Sequence, residues 1–360
     1  MTGKLYALEG GDQPGDQVLV TGGSGFVASH VVRELLAQGY RVRATVRSVA
    51  DAAKTAPLRA LAAGAPGTLE LVEADLMRPG SFDEAVQGCR YVFHVAAPFL
   101  MPEQIRNGQK DVVDPALNGT RTILEAVQKA PDVERVVLTS TLGAIVGDYA
   151  DILDVPDRTA REDLWNTSST VANNPYNFAK TAQERLAWEL AGAQDRWSLV
   201  TVNPGLVLGP SVTPSSNSGS LFVINELMKG YFFFGAPNFS FAFVDVRDVA
   251  LAHVRAAQRP LASGRYILAR PQMVSFLDMG RIIRGRHPHR YIVPRHPVPD
   301  AGVRILGPLF GLTKDYTRKH LGIRFGIDSH RSVDELGIDY RPVADTVLDH
   351  YEAWKTLRRA

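Results

Sequence analysis

Two hydrophobic periods alternate along the chain and predict its secondary structure. Short runs rich in β-branched residues predict buried strands, and seven occur: Gln17–Thr21, Arg41–Val46, Leu69–Glu73, Tyr91–Val95, Val136–Thr139, Leu199–Val202 and Tyr266–Leu268. Apolar residues at helical spacing lie between most of them and predict helices at Val27–Gln38, Ser81–Gln87, Ala116–Lys129, Tyr176–Ala191 and Val246–Ala257. Strands that alternate with helices predict βαβ units and a parallel sheet.

The regular pattern ends at about Pro204. Residues Thr213–Ser220 form a Ser-rich stretch typical of a loop, and Arg286–Pro299 is interrupted by prolines. No internal repeat is visible. The economical prediction is an α/β fold, in which a doubly wound parallel sheet is followed by a smaller, less regular C-terminal lobe, and helix Val246–Ala257 returns to the larger part.

Composition narrows the class of protein. The 360 residues are 45% hydrophobic and 22% charged, with a formal net charge of +2, so nothing favours nucleic acid or an anionic membrane as the main partner. The single cysteine, Cys89, excludes a disulfide framework and a cysteine-rich metal site, and it fits a reducing compartment. No signal-peptide pattern and no long apolar segment occur, so we expect a soluble cytoplasmic protein without a metal. The oligomeric state stays open.

A glycine-rich turn follows the first predicted strand. In VLVTGGSGFVASH, the residues Gly22, Gly23 and Gly25 stand between a strand and a helix, and Ala28 takes the place of the usual third glycine. Glycines there let the backbone approach a pyrophosphate, and the helix N-terminus offers unpaired N–H groups. A glycine cluster alone is often only a turn, but this position favours dinucleotide binding.

The end of the second predicted strand favours one nicotinamide cofactor. An acidic residue there would bind the ribose of NAD and repel a 2′-phosphate, but this strand ends at Val46 and is followed by Arg47. Arg43 and Arg47 carry charges suited to a 2′-phosphate. The alternative is that both are solvated surface cations. We predict NADP(H) rather than NAD as the cofactor.

The stretch NPYNFAK places Tyr176 and Lys180 four residues apart on one face of a predicted helix. Asn174 suits the N-cap position and Pro175 the first helical position. Alone, such a pair is usually an exposed helix surface. A lysine cation beside a tyrosine would, however, stabilise the phenolate and lower the tyrosine pKa, making it a better acid.

Several motifs carry a family resemblance in their order along the chain: TGGSGF, ADL (74–76), VFHVAAP (92–98), VVLTSTLGA (136–144), the Tyr176/Lys180 pair, VNPGLVLGP (202–210) and FVDVRDVALAH (243–253). The chain resembles an extended short-chain dehydrogenase/reductase, and most closely the dihydroflavonol reductase-like group, which includes aldehyde and ketone reductases. GYRVRATVR, GCRYVFHVAAP and ELGIDYRP are particularly similar to that group. The resemblance is specific up to Val254 and weak across Leu261–Ile327.

The resemblance implies a domain organisation. Residues 17–204 would form a dinucleotide-binding Rossmann domain, with 240–257 returning to it. Residues 1–16 would be a polar leader, and residues 205–360 mainly a substrate-binding lobe.

The resemblance also implies roles for individual residues. The catalytic set would be Thr141, Tyr176 and Lys180: the tyrosine protonates the carbonyl oxygen, the hydroxyl residue orients it, and the lysine holds the nicotinamide ribose. The family usually has serine at the position of Thr141, so the preceding Ser140 is an alternative. The cofactor-binding residues would be Gly22, Gly23, Ser24, Gly25, Phe26, Val27, Arg43, Arg47, Asp75, Leu76, Val95, Ala96, Ala97, Ser140, Tyr176, Lys180, Pro204, Gly205, Leu206 and Val207.

Some positions depart from related groups. Val146 stands where plant dihydroflavonol reductases have a polar substrate contact, and Asn177–Ala179 lacks the cysteine that cinnamoyl-CoA reductases carry between the tyrosine and the lysine. His94 lies within a predicted strand and is expected in the core. The aromatic residues of 231–243 are expected in the core or along an apolar substrate pocket. The basic segment Arg281–His296 is expected on the solvated surface of the lobe.

The sequence therefore predicts NADPH-dependent reduction of a free, largely apolar aldehyde or ketone. One alternative is a nucleotide-sugar epimerase or dehydratase, which would usually retain NAD. Another is a non-catalytic NADP-binding regulator, which the complete Thr141/Tyr176/Lys180 set disfavours.

Overall fold

The computed structural model describes residues 15–98, 100, 104–212, 219–289 and 292–357. Most of the predicted leader lies outside the described residues. The same holds for residues 213–218 of the predicted Ser-rich loop and for residues 290–291 of the basic segment.

A seven-stranded parallel sheet forms the centre of the molecule. Its order is β11-β7-β5-β4-β1-β2-β3. Its strands are β1 (Gln17–Val20), β2 (Arg41–Val46), β3 (Thr68–Glu73), β4 (Tyr91–His94), β5 (Arg135–Thr139), β7 (Ser198–Pro204) and β11 (Gly264–Leu268). The chain proceeds outward from β1 to β3 and then returns to β4, on the other side of β1. The strand order therefore reverses between β1 and β4, which is where doubly wound sheets bind ligands.

Short strands pair outside the main sheet. They are β6 (Thr159–Ala160) with β13 (Gly326–Ile327), β8 (Leu206–Leu208) with β10 (Phe243–Asp245), and β9 (Ser240–Phe241) with β12 (Val274–Ser275). Only the β9–β12 pair is antiparallel among these three.

Helices cover both faces of the main sheet. The α-helices of the described chain are α1 (Phe26–Ala37), α2 (Ala52–Ala62), α3 (Asp114–Lys129), α4 (Pro175–Gly192), α5 (Gly219–Lys229), α6 (Val246–Gln258), α7 (Phe276–Arg286), α8 (Asp300–Leu306), α9 (Lys314–His320), α10 (His330–Asp334) and α11 (Val343–Leu357). On one face α1 packs beside α6, and on the other α3 packs beside α4. The predicted α/β class with a Rossmann-type sheet is confirmed.

The predicted strands agree with the observed ones to within two residues at each end, and six of the seven are largely buried; the edge strand β3 is only partly buried. The turn after α1 also forms as predicted: Gly39 has a φ of 86°, and the Tyr40 N–H reaches back to the Leu35 carbonyl. This is the glycine-ended geometry that satisfies the last carbonyls of a helix.

The predicted helix Ser81–Gln87 is wrong, since residues 81–88 form successive turns. Two glycines with positive φ, Gly80 and Gly88, bound this segment and leave it too short for a stable helix. The Arg43 guanidinium also binds the carbonyls of Ala85 and Gln87 at 2.7 and 3.1 Å. These two carbonyls therefore have hydrogen-bond donors without the N–H groups that a longer helix would supply.

The C-terminal part of the chain contributes to the main core as well as to its own lobe. Strand β11 forms one edge of the sheet, and Leu336 and Ile338 lie in the same hydrophobic cluster as α1 and α6. A separate cluster forms the lobe, where the Phe232 ring stacks on Phe276 at 4.7 Å. The part of the molecule that contains the main sheet therefore includes β11, Leu336 and Ile338, in addition to the predicted residues 240–257.

None of the helices in the described ranges is long and apolar enough to cross a membrane.

Cys89 is fully buried, and burial raises the pKa of its thiol to about 12, so the thiol stays protonated at neutral pH.

Replacing Leu336 by alanine tests whether the C-terminal segment belongs to the main core. Leu336 is 0% exposed, so Leu336→Ala should lower the free energy of unfolding by about 2–5 kcal/mol through the cavity it leaves. Leu261→Ala is the matched control, because Leu261 is 92% exposed. Denaturant melts followed by circular dichroism compare the two. Equal stability of both variants would contradict the packing described.

Candidate active site

The glycine turn after β1 is closely packed against the neighbouring strands. Gly22 has a φ of 64°, and a Cβ there would meet the Ala96 Cβ at 2.9 Å. A Cβ on Gly23 would meet the Ala44 Cβ at 2.8 Å. Side chains at these two positions would therefore push the turn away from β2 and β4.

The N-terminus of α1 is left open toward this turn. Gly25 is its N-cap residue and provides no side-chain cap, and the first turn of α1 contains no acidic residue. The free N–H groups and the positive end of the helix dipole are therefore available to an anion. Together with the close approach of the glycines, this geometry fits the pyrophosphate of a dinucleotide.

The hydroxyl of Thr21 joins the two central strands at the point where the strand order reverses. It accepts hydrogen bonds from the backbone N–H groups of Val95 and Ala96 at 3.1 and 2.9 Å. These contacts fix the segment after β4 beside the glycine turn. Val95, Ala96 and the glycines are thus brought together, as the sequence predicted.

The end of β2 presents a cation. Val46 is buried, and Arg47 follows it as an exposed residue with no ion pair among the described residues. A carboxylate that the sequence reasoning missed lies nearby: Glu73, the register partner of Val46, accepts a hydrogen bond from the Val49 N–H at 2.7 Å. This acid belongs to β3 and supports the loop after Arg47.

Arg43 is not brought to this edge of the sheet. It lies three residues before the end of β2, directly opposite Glu70, and its Nε donates to the Glu70 carboxylate at 2.8 Å. Its Nη1 binds the 85–87 turn. The structure therefore separates the two predicted arginines, with Arg43 supporting the sheet and Arg47 at the candidate cofactor edge.

Asp75 and Leu76 lie just after β3. The Asp75 backbone is fixed by Ser81, whose hydroxyl accepts from the Asp75 N–H and donates to the Asp75 carbonyl. Leu76 packs on Gly119 of α3, where an added Cβ would meet the Leu76 Cβ at 3.2 Å. Both residues are half-buried on the side of the sheet expected for the adenine.

The 204–207 segment continues from β7 and is anchored on both sides. The Gly205 N–H donates to the Leu268 carbonyl at 3.0 Å, and the Leu206 N–H donates to the Ala242 carbonyl at 2.7 Å. A Cβ on Gly205 would lie only 2.4 Å from the Ala242 oxygen. Glycine is therefore required here by close packing.

Helix α4 begins as predicted and carries the tyrosine in its first turn. The Asn174 side chain accepts from the Asn177 N–H at 3.1 Å, and Pro175 occupies the first helical position. Asn177 in turn lies against Gly143, where an added Cβ would clash with its amide. This contact holds the first turn of α4 along the segment that carries Thr141.

Lys180 lies one turn further and is 7% exposed. Its Nζ donates to the carbonyl of Thr139 at 3.0 Å, at the end of β5. Burial lowers the lysine pKa to about 8, and the nearby Glu184 carboxylate opposes that effect. Lys180 thus reaches the strand end two residues before Thr141.

The tyrosine differs from the expectation. Tyr176 is 42% exposed, and desolvation of its phenol raises the pKa above the usual value. The predicted lowering by Lys180 finds no support in this geometry, in which the lysine ammonium donates to the Thr139 carbonyl. The phenol therefore keeps its proton at neutral pH.

The two candidate hydroxyl residues have different environments. The Thr141 hydroxyl accepts from the Gly143 N–H at 3.2 Å and donates to the Pro204 carbonyl at a long 3.4 Å. The Ser140 hydroxyl is buried and donates to the Glu184 carboxylate. Since a 3.4 Å bond is weak, Thr141 is the residue whose hydroxyl can turn to a substrate.

Glu184 is the main residue of the site that the sequence reasoning missed. It is completely buried on α4 and pairs with Arg265 of β11, with Oε1 and Nε 2.6 Å apart. The available signal was its position, one helical turn after Lys180. Apart from Trp188 on the same helix, its partners lie on β7, on β11 and just after β5, so they cannot be read from local sequence.

His94 ends β4 inside the core, as expected from its mid-strand position. Burial, and then the charge of Lys180, lower its pKa to about 3, so the ring is neutral. Its Nδ1 lies 3.2 Å from the Thr21 hydroxyl. His94 therefore supports the bridge between β1 and β4.

Asp245 and Asp248, at the start of α6, both have structural partners. Asp245 caps α6 by accepting from the Arg247 N–H at 2.8 Å. Asp248 accepts from the Arg341 N–H at 2.9 Å and pairs with the same residue's guanidinium.

A polar cavity of about 650 Å³ lies elsewhere, between the start of α6, the end of α7 and α11. Its cations are largely paired: Arg247 with Asp245 and Asp349, and Lys355 with Glu352. None of Thr141, Tyr176 and Lys180 lines it.

In the described chain no group of three or more His, Cys, Asp or Glu side chains is placed to hold a metal.

Comparison with known proteins identifies the family. The model of the NAD dependent epimerase/dehydratase family matches residues 18–269. This range includes the glycine turn, the Tyr176/Lys180 pair and β11.

Three similar proteins extend the match over most of the chain. Cinnamoyl-CoA reductase CAD2 from Medicago truncatula is 34% identical over 349 residues, 96% of this chain and 98% of the relative. Tetraketide alpha-pyrone reductase 2 from Arabidopsis thaliana is 36% identical over 287 residues, 76% of this chain and 83% of the relative. The structure of yeast methylglyoxal/isovaleraldehyde reductase Gre2, complexed with NADPH, superposes with a TM-score of 0.74 at 27% identity, covering 96% of this chain and all of that one.

These matches confirm the predicted resemblance, the carbonyl-reducing oxidoreductase class and the NADP(H) cofactor. The chain belongs to the NAD dependent epimerase/dehydratase family, the extended short-chain dehydrogenases/reductases.

Proposed function

We propose that the protein reduces free aldehydes or ketones to alcohols with NADPH, and that Tyr176 is the general acid. The observation that carries this proposal is that Lys180 and Thr141 meet the ends of β5 and β7 beside a glycine turn that fits a dinucleotide, with Tyr176 one turn before Lys180 on α4. Like the yeast reductase with which it superposes, the chain would act on a small carbonyl compound. A cytoplasmic location and a largely apolar substrate belong to the same proposal.

The residues at the carboxyl edge of the sheet would hold the cofactor. The glycine turn and the N-terminus of α1 suit its pyrophosphate, and Arg47 suits its 2′-phosphate. Residues Val95–Ala97 and Pro204–Val207 line the edge between these positions and α4. A bound NADPH supplies the hydride that reduces the carbonyl carbon.

The side chains of the chain itself would control the proton. Thr141 would donate a hydrogen bond to the carbonyl oxygen and hold it near Tyr176. The phenol would then give its proton to that oxygen as the hydride arrives, which is general acid catalysis. Because desolvation raises the pKa of the Tyr176 phenol, the acid form is present at neutral pH.

Thioester reduction is the second candidate, because CAD2 is named as a cinnamoyl-CoA reductase. The structure gives it less support. A phosphorylated CoA would need accessible cations, but Arg284 donates to the Pro294 carbonyl, and Arg281 pairs with Asp278 at 3.0 Å. The cavity at the end of α7 has carboxylates beside its cations. Free carbonyl compounds are therefore favoured.

The other sequence alternatives are weaker. A nucleotide-sugar epimerase would usually retain NAD, whereas β2 ends in buried Val46 followed by exposed Arg47. A non-catalytic regulator would not need an acid, a cation and a hydroxyl at one strand end.

The first prediction concerns cofactor choice. NADPH should bind at least about tenfold more tightly than NADH, which is about 1.4 kcal/mol, and Arg47→Ala should remove much of that preference. Arg41→Ala is the control, because Arg41 is exposed at the opposite end of the same strand. Fluorescence titration gives both dissociation constants. Equal affinities in the unmodified protein would refute the assignment.

The second prediction concerns the acid. Tyr176→Phe keeps the ring but removes the transferable proton, so turnover should fall by about 10² or more with little change in NADPH affinity. Tyr316→Phe is the matched control, since Tyr316 is also 42% exposed but lies on α9 of the lobe. Lys180→Ala should weaken both turnover and NADPH binding. Near-normal turnover of a folded Tyr176→Phe variant would show that another group donates the proton.

The third prediction concerns the substrate. NADPH consumption should be clear with an aromatic aldehyde or an aliphatic ketone and small with an aryl acyl-CoA, because Arg281 pairs with Asp278 and Arg284 donates to the Pro294 carbonyl. The reaction should also run backward from the matching alcohol and NADP⁺. Parallel assays at equal substrate concentrations decide it. A clear preference for the thioester would overturn the proposed substrate class.

A further inference from the structure

A buried carboxylate lies beneath the candidate active site. Glu184 is 0% exposed, and each of its oxygens accepts three hydrogen bonds. Oε1 accepts from Thr201, Trp188 and Arg265, and Oε2 accepts from Ser140, Asn203 and Arg265. A carboxylate has about four lone-pair sites, so its acceptor capacity is fully used.

Two of these donors lie next to the residues that would handle the substrate. Ser140 directly precedes Thr141. Asn203 directly precedes Pro204, whose carbonyl accepts from the Thr141 hydroxyl, and its amide also donates to the Thr141 carbonyl at 3.2 Å. The carboxylate therefore ties together the ends of β5 and β7 on either side of Thr141.

The charge of Glu184 also acts on the lysine. Residues 176, 180 and 184 are spaced by four and share one face of α4. Removing Lys180 from water penalises its ammonium, and the Glu184 carboxylate opposes that penalty. Arg265 neutralises the same carboxylate and is itself held by the carbonyls of Glu162 and Leu164 and by the Trp165 ring.

We propose that Glu184 is a positioning residue for carbonyl reduction. Its carboxylate aligns Thr141 through the ends of β5 and β7, and its charge supports the ammonium of Lys180. This inference rests on the proposed function, since it assigns Glu184 to the Tyr176/Lys180 chemistry.

The surroundings of Lys180 set the direction of the pH effect. The titratable and charged groups are Tyr176 and Glu184 on α4, neutral His94 at the end of β4, and Arg265 on β11. From β5, the Thr139 carbonyl accepts a hydrogen bond from the Lys180 ammonium. Glu184 is the negative charge of this set, so removing it should lower the lysine pKa. Activity that needs the ammonium would then be lost at a lower pH.

The experiment compares Glu184→Gln with Glu189→Gln, the same substitution at an exposed position of α4. Turnover of an aldehyde with NADPH is measured from pH 6 to pH 10. Glu184→Gln should lower kcat about tenfold or more, leave KM for the aldehyde nearly unchanged, and move the alkaline limb down by about one pH unit. Glu189→Gln should match the unmodified enzyme.

A second measurement does not depend on turnover. In protein labelled with carbon-13 at lysine Cε, the Lys180 resonance is assigned by its loss in Lys180→Arg and then titrated. Its pKa should fall in Glu184→Gln and stay close to the original in Glu184→Asp, which keeps the charge. If Tyr176→Phe has full activity while the Lys180 pKa still falls in Glu184→Gln, the proposed function fails but the coupling between Glu184 and Lys180 stands.

The geometric part has its own test. Ser140→Ala and Thr201→Val each remove one donor but keep the charge, so each should lower kcat by a smaller factor without moving the alkaline limb. If Glu184→Gln does not fold, these variants and Glu184→Asp decide the question. The proposal would be overturned by an unchanged kcat in Ser140→Ala, Thr201→Val and Glu184→Asp. It would also be overturned by a Glu184→Gln variant with a normal kcat and an unshifted Lys180 pKa.

Discussion

The whole site depends on one constraint, that all seven strands of the sheet are parallel and end at the same edge. Backbone groups after each strand must find partners there, and the Thr21 hydroxyl supplies them between β1 and β4 by accepting from the Val95 and Ala96 N–H groups. The glycine turn can then lie flat against Ala96 and Ala44. Every candidate cofactor contact except Arg43, and the lysine anchor on Thr139, follow from this shared edge.

The parts of this arrangement that depend on local sequence could be predicted. Buried β-branched runs predicted the strands, and the glycines after β1 predicted the turn because few other residues fit it. Helix α2 was missed because it buries only Thr55 and Leu58 and contains Pro57, so its apolar period is faint. The lobe was predicted only in outline, because its core joins short elements that are distant in sequence.

The arginines show where local pattern is not enough. Arg43 lies on β2 and Arg47 directly follows it, four residues later. An extended segment of that length spans about 13 Å. Arg43 therefore faces Glu70 midway along the β2–β3 pair, and Arg47 lies past the carboxyl end of β2. Glu184 is the reverse case: its helix position was visible, but its partners Ser140, Asn203 and Arg265 come together only when β5, β7 and β11 are in place.

Desolvation of the Tyr176 phenol and of the Lys180 ammonium acts on the pKa values of these two groups in opposite directions. It raises the pKa of Tyr176, whose charged form is the anion, and lowers that of Lys180, whose charged form is the cation. With Lys180 at about 8, the lysine titrates before the tyrosine as the pH rises. The acid thus remains available while the cation is lost, so the lysine sets the alkaline limit. The buried Glu184 carboxylate one turn away opposes this loss of charge and so favours the ammonium form of Lys180 at neutral pH.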